Sequence, residues 1–182
     1  MCLQFFYFCG HKHQRVIEFM QDNNVFSALS SDQYSQLKEA LGYITVLIAG
    51  ADGNIDEQEL NWAEKLTHIR SYAKPEELND FYGEVEENFS EKLTALIASL
   101  PSQQEKRELA ATSKLSDLNN VFALLENETA YQLYKSFTSF AKHIAKASGG
   151  FLRFGSVSAE EKVFIGLPMI DPIIREIEDE EE

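Results

Sequence analysis

The chain has 182 residues, 44% of them hydrophobic, and a formal net charge of −14. That length and apolar content suit a single cored domain, or a doubled one. The charge argues against a nucleic-acid backbone as ligand, since such binding needs clustered Lys and Arg, and it suits cations or basic protein partners.

The only cysteines, Cys2 and Cys9, stand close to the N-terminus. A disulfide framework is therefore not expected, and a reducing, cytoplasmic setting fits. No apolar run approaches the roughly 20 residues that cross a bilayer, so no transmembrane segment is expected. The aromatic run Phe5-Phe6-Tyr7-Phe8 has no basic residue before it and no small-residue cleavage site after it, unlike a signal peptide. Residues 1–30 are read as a peripheral extension, with Met20 an alternative start.

From there the chain reads as helices. Tyr34, Leu37, Leu41, Ile44, Leu47 and Ile48 recur at helical spacing behind an N-cap from Ser31 and Asp32, and Gly50 and Gly53 end the helix. A second helix opens at Asp56, with Glu59 completing an Asp-x-x-Glu capping box, and its apolar face is Trp62, Leu66, Ile69 and Ala73. Pro75 opens a third at the favoured first-turn position. Its pattern runs through Phe81, Val85, Phe89 and Leu93 to Leu100, with a break near Asn88 or Ser90. After Pro101-Ser102, Leu109, Leu118, Val121, Phe122 and Leu125 belong to one or two helices. A turn at Asn127-Glu128 leads into the cleanest amphipathic helix, carrying Ala130, Leu133, Tyr134, Phe137, Phe140, Ala141 and Ile144. Ser148-Gly149-Gly150 stops it. Ser158 with Glu161 forms a second capping box, and the helix it opens is cut short by Gly166 and Pro168. Six of the last seven residues are acids, and residues 173–182 are expected to form a disordered acidic tail.

No segment alternates with period two, so the expectation is an all-α compact bundle of about 6–8 helices over residues 31–172. The two ends share a grammar: glycine, polar residue, β-branched residue, then a capping residue with Glu three positions on. This predicts an approximate internal two-fold repeat.

The junction Asp52-Gly53-Asn54-Ile55-Asp56-Glu57-Gln58-Glu59 concentrates the chemistry. It is not an EF-hand. Aligning Gly53 with the loop glycine puts Ile48 and Gly50 where the first two oxygen ligands belong. Asp52, Asp56, Glu57 and Glu59 still offer hard oxygens to a weakly bound divalent cation, calcium or magnesium. The competing reading is that Asp56 and Glu59 cap a helix and Asp52 stabilises the turn. Cys2, Cys9, His11 and His13 lack the paired spacing of a zinc site. His68 and His143 sit in helices with no nucleophile beside them in the sequence. Lys142 and Lys146 share one helical face and could bind an anion, although a solvated face is the better reading.

Together, Ala51-Asp52-Gly53-Asn54-Ile55-Asp56-Glu57-Gln58-Glu59 and Ala147-Ser148-Gly149-Gly150-Phe151-Leu152-Arg153-Phe154-Gly155-Ser156-Val157-Ser158-Ala159-Glu160-Glu161-Lys162 resemble the TerB-like tellurite-resistance family. The resemblance covers roughly Ser31 to Pro168. It implies a helical bundle, a stress-response context and an acidic patch proposed to hold metal. The matching acids are Asp52, Asp56, Glu57 and Glu59 in the first loop; in the second only Glu160 and Glu161 are acidic. The functional expectation is a non-enzymatic binding or adaptor module with a protein partner, basic or membrane-associated. The alternatives are a metal-dependent hydrolase using loop carboxylates and a purely structural interaction domain.

Overall fold

The computed structural model describes residues 24–55, 57–73, 76–147 and 161–176. Among these there is no strand, and the chain folds as an all-α bundle. Its elements are α1 (Ser31–Ala49), α2 (Glu57–Arg70), a 3-10 turn (Glu76–Leu78), α3 (Asn79–Glu86), α4 (Phe89–Ser99), α5 (Gln104–Ser116), α6 (Leu118–Phe122), α7 (Asn127–Ala147) and α8 (Glu161–Phe164).

Helix α1 is the axis of the bundle, packing against α2, α4, α5, α6, α7 and α8. Its sequence explains this. Every residue from Ile44 to Ala49 is buried, so the second half is apolar all round rather than along one stripe, the mark of a surrounded helix. Thr45, the polar member of the run, donates its hydroxyl to the Leu41 carbonyl at 2.7 Å. The N-cap is Ser30, one residue before the expected Ser31 and Asp32. Its side chain accepts from the Gln33 amide while the Gln33 side chain accepts from the Ser30 amide. This reciprocal pair selects Ser30 from a run of three capping residues.

Helix α7 buries the face read from its spacing: Ala130, Leu133, Phe137, Phe140, Ala141 and Ile144, with Tyr134 half-buried. The long third pattern breaks at Glu87 and Asn88, between α3 and α4, within the expected interval. One face differs from expectation. Helix α2 buries Glu59, Ala63, Leu66 and Thr67 and leaves Ile69 40% exposed, because its small residues turn inward toward α1 and α7 and Trp62 packs only at the edge. Helix α5 buries Arg107, Ala111 and Leu115 and leaves Leu109 71% exposed.

The packed unit reaches past residue 30 on one side and residue 172 on the other. Phe26 lies in the core, its ring centroid 5.2 Å from Tyr34 and 5.5 Å from Phe81. At the other end Asn127 brackets the chain, donating to the Ile174 carbonyl at 3.0 Å and accepting from the Glu176 amide at 2.9 Å, while Arg175 pairs with Glu128. The expected two-fold repeat depends on a second junction whose residues 148–160 lie outside the described set, as do residues 1–23 and 177–182.

Candidate functional site

Helix α1 ends at Gly50, where its last carbonyls need partners and its dipole presents partial negative charge. Its last turn has no basic residue. The cation comes from α5. The Arg107 guanidinium, only 6% exposed, donates to the carbonyls of Gly50 at 3.4 Å, Gly53 at 3.5 Å and Ser102 at 3.2 Å. One turn earlier, Gln104 donates to the Ala51 carbonyl at 2.8 Å and to Glu108 at 2.9 Å. The junction is thus a backbone turn clasped by two side chains of another helix.

Both glycines are required by this arrangement. A Cβ on Gly50 would lie 2.9 Å from the Val46 carbonyl oxygen and 3.1 Å from Arg107 Nη2. Gly53 has φ +96°, a left-handed conformation, and a Cβ there would lie 2.9 Å from Gln104 Oε1.

The expected site carboxylates separate. Asp52 is exposed, and its Oδ1 accepts from the Asn54 amide at 3.0 Å, an Asx-type turn. Glu57 is exposed at the start of α2. Glu59 is 2% exposed. Glu161, at the corresponding place in the second junction, is 6% exposed. Asp56 and Glu160 lie outside the described residues, as do Cys2, Cys9, His11 and His13. Among the described residues no three His, Cys, Asp or Glu side chains come together to hold a metal ion.

A second polar cluster joins the C-terminal end of α2 to α7. Arg70 donates through Nη1 to the Tyr82 hydroxyl at 3.2 Å, to the Ser136 carbonyl at 2.9 Å and to the Ser136 hydroxyl, and through Nη2 to the Ser139 hydroxyl at 3.2 Å. Its guanidinium also lies over the Tyr82 and Phe140 rings. Burial pushes the Tyr82 hydroxyl pKa up, with the Arg70 charge opposing. His143 follows one turn after Ser139, and its Nδ1 lies 2.7 Å from the Ser139 carbonyl oxygen. A carbonyl only accepts, so Nδ1 carries a proton. It is therefore a donor, and does not serve as a base for the Ser139 hydroxyl 3.3 Å away. His68, the other helical histidine, pairs with Glu86.

No family model matches the chain, and neither a curated protein nor a solved structure matches it. The TerB-like resemblance accordingly rests on the residues of the two junctions.

Gln104, Arg107 and Arg70 carry these two clusters, and none was foreseen. The first two read as the polar first turn of a helix, and their partners in the junction lie 53 to 57 residues away. The one signal in the sequence was the inward stripe of α5, which places Arg107 in register with Ala111 and Leu115.

Proposed function

We propose that the chain is a non-catalytic binding or adaptor module that docks a basic segment of a protein partner on the acidic surface of the first junction. One observation supports this above others: Arg107 and Gln104 clasp the junction backbone while Asp52 and Glu57 stay exposed. A surface held in one conformation loses less entropy when a partner binds. A divalent cation, calcium or magnesium, is the weaker ligand in this reading. The Arg107 guanidinium already engages the carbonyls of Gly50 and Gly53, and the Asp52 carboxylate already serves the Asn54 amide. The stress-response setting belongs to the TerB-like resemblance and is part of the proposal, as is a cytoplasmic location. Among the described residues no helix is long and apolar enough to cross a membrane.

Affinity capture from the native host tests the reading, with wild type compared against the double variant Asp52→Ala/Glu57→Ala. A partner with a Lys- or Arg-rich segment that is held by wild type and lost from the variant supports it. A partner held equally by both proteins would remove the junction as the docking surface.

A further inference from the structure

A groove of about 540 Å³ between α1 and α4 mixes lysines with Glu39, whereas the cleft on the side formed by α2, α3 and α7 has a different character. The cleft that matters here has a volume of about 330 Å³, within the size range of small-molecule sites. Arg70, Tyr82, Lys135, Ser136, Ser139 and His143 line its polar side, and Ile69 and Ala73 contribute to an apolar wall. Among the described residues no carboxylate lines it. In a chain with 30 acids and 16 bases, that is a strong local reversal of charge.

Helix α7 extends the reversal. Its only acid is Glu128 in the first turn, which is engaged by Arg175. Beyond it the helix carries Lys135, Lys142, His143 and Lys146. Lys135, Ser139, Lys142 and Lys146 follow one another at steps of four, three and four residues, and so lie on one stripe. All three lysines are exposed, and among the described residues none forms an ion pair.

Joining α2 to α7 accounts for part of this cluster. The bonds from Arg70 to Ser136 and Tyr82 fasten the two helices through α3. Fastening gives no role to Lys135 or His143. Nor does it neutralise Arg70, whose partners among the described residues are all uncharged oxygens. The Ser139 hydroxyl accepts from Arg70 and keeps its own proton to donate. With the His143 Nδ1 proton committed to the Ser139 carbonyl, the Nε2 edge remains for a ligand and donates to an anion when the ring is the imidazolium.

From these positions we infer that the cleft binds a small phosphate monoester. The phosphate oxygens are received by Arg70, Ser139, His143 and Lys135, and the organic group lies against Ile69 and Ala73. Guanidinium and ammonium groups next to hydroxyl donors suit a phosphate dianion, and charge-assisted bonds of this kind are the strong ones. The small volume favours a free small molecule over a phosphorylated protein segment. The site is separate from the acidic junction and stands or falls independently of it.

The test is titration calorimetry of the full chain with phenyl phosphate and with inorganic phosphate, followed by amide shift mapping. Phenyl phosphate is expected to bind more tightly than inorganic phosphate, with shifts centred on the end of α2 and on Ser136 to His143 of α7. Lys135→Gln/His143→Gln alters two exposed positions, so folding is not at stake. It is expected to weaken phenyl phosphate by about tenfold or more, the scale of losing charge-assisted hydrogen bonds. Arg70→Gln is expected to weaken it further, with circular dichroism used to verify the fold. The inference is overturned if wild type binds neither anion at millimolar concentration, if the double variant binds as wild type does, or if the shifts map elsewhere. Tight binding of a phosphopeptide without binding of phenyl phosphate would overturn the assignment to a small molecule.

Discussion

Arg107 Nη2 donates to the Gly50 carbonyl at 3.4 Å, joining the first turn of α5 to the C-terminal end of α1. A helix end of this kind is commonly closed by a local cation or a glycine-based cap. Here the cation arrives from 57 residues further along the chain and is buried in the process. A buried guanidinium that satisfies three carbonyls is costly to remove, because both the charge partner and the hydrogen bonds disappear together.

Replacing it with an uncharged side chain of similar length therefore has a defined cost. Arg107→Met should destabilise the fold by about 2–4 kcal/mol, since buried carbonyls lose charged donors. For a chain of this size that corresponds to a fall in Tm of about 5–15 °C. Arg107→Lys should recover only part of the loss, because an ammonium lacks the planar fork that reaches several carbonyls at once. Thermal unfolding followed by circular dichroism measures both. An unchanged Tm in Arg107→Met would show that the clasp contributes nothing.

Gly53→Ala should cost about 1–2 kcal/mol, from a left-handed backbone and contact with Gln104. The contact is with the end of a flexible side chain, so it can be relieved separately. In a Gln104→Ala background the penalty should shrink but persist, because the φ of +96° remains. Denaturant unfolding of the two single variants and the double variant separates the terms. A penalty that vanishes entirely in the double variant would refute the backbone contribution.

Stability should depend on pH through the surface where α1 meets α3. Tyr34 donates to Glu84 at 3.1 Å and Lys38 donates to it at 2.9 Å. Burial first, and then the Glu84 charge, push the Tyr34 hydroxyl pKa up, and burial does the same for Tyr43 and Tyr82. A raised folded pKa means the folded state keeps a proton that the unfolded state releases. The stability linked to it is complete below the unfolded tyrosine pKa, about 10, and is lost as pH rises above that value. Glu84 has the opposite sign. The Lys38 hydrogen bond holds its pKa below the usual carboxylate range, so its contribution is present above the unfolded value and is lost as pH falls through the folded one. With a side chain 48% exposed, that acid-side contribution is small. Urea unfolding between neutral and strongly alkaline pH should show declining stability, and Tyr34→Phe should flatten the decline. An identical slope in the variant would exclude Tyr34 as a contributor.

Phe26→Ala should destabilise the protein by about 3 kcal/mol, the usual scale for removing a buried ring. Its ring packs against Tyr34 of α1 and Phe81 of α3, so the loss falls on this cluster of three rings. A change in Tm below about 2 °C would return residue 26 to the periphery where its place in the sequence puts it.

The contrast between these residues shows what local pattern carries. Leu133, Phe137, Phe140 and Ile144 were legible because helical periodicity is a property of neighbours on one element, and α7 buries them as spaced. The N-cap was legible to within one residue, since Ser30, Ser31 and Asp32 are all good caps and only the reciprocal bond with Gln33 separates them. Phe26 was missed because one aromatic ahead of the first helix makes no pattern. Helical spacing puts Ile69 on the apolar face of the second helix, whereas the tertiary packing turns Thr67 inward instead, and in α5 it buries Arg107. The acids of the first junction stand out in the sequence by their density. In the fold their exposure diverges: Asp52 and Glu57 stay outside and Glu59 is buried. No spacing rule connects Gly50 to Arg107 or Arg70 to Ser136.

Amide hydrogen exchange at Gly53 tests most directly whether α5, and not a bound cation, holds the first junction. The Gly53 amide donates to the Gly50 carbonyl at 3.1 Å, inside the turn that Arg107 clasps. In metal-free buffer this amide should already be protected, millimolar calcium or magnesium should leave its rate unchanged, and Arg107→Met should accelerate it by an order of magnitude or more, about the scale of one lost charged hydrogen bond. An unprotected Gly53 amide that becomes protected only when calcium or magnesium is added would contradict the account.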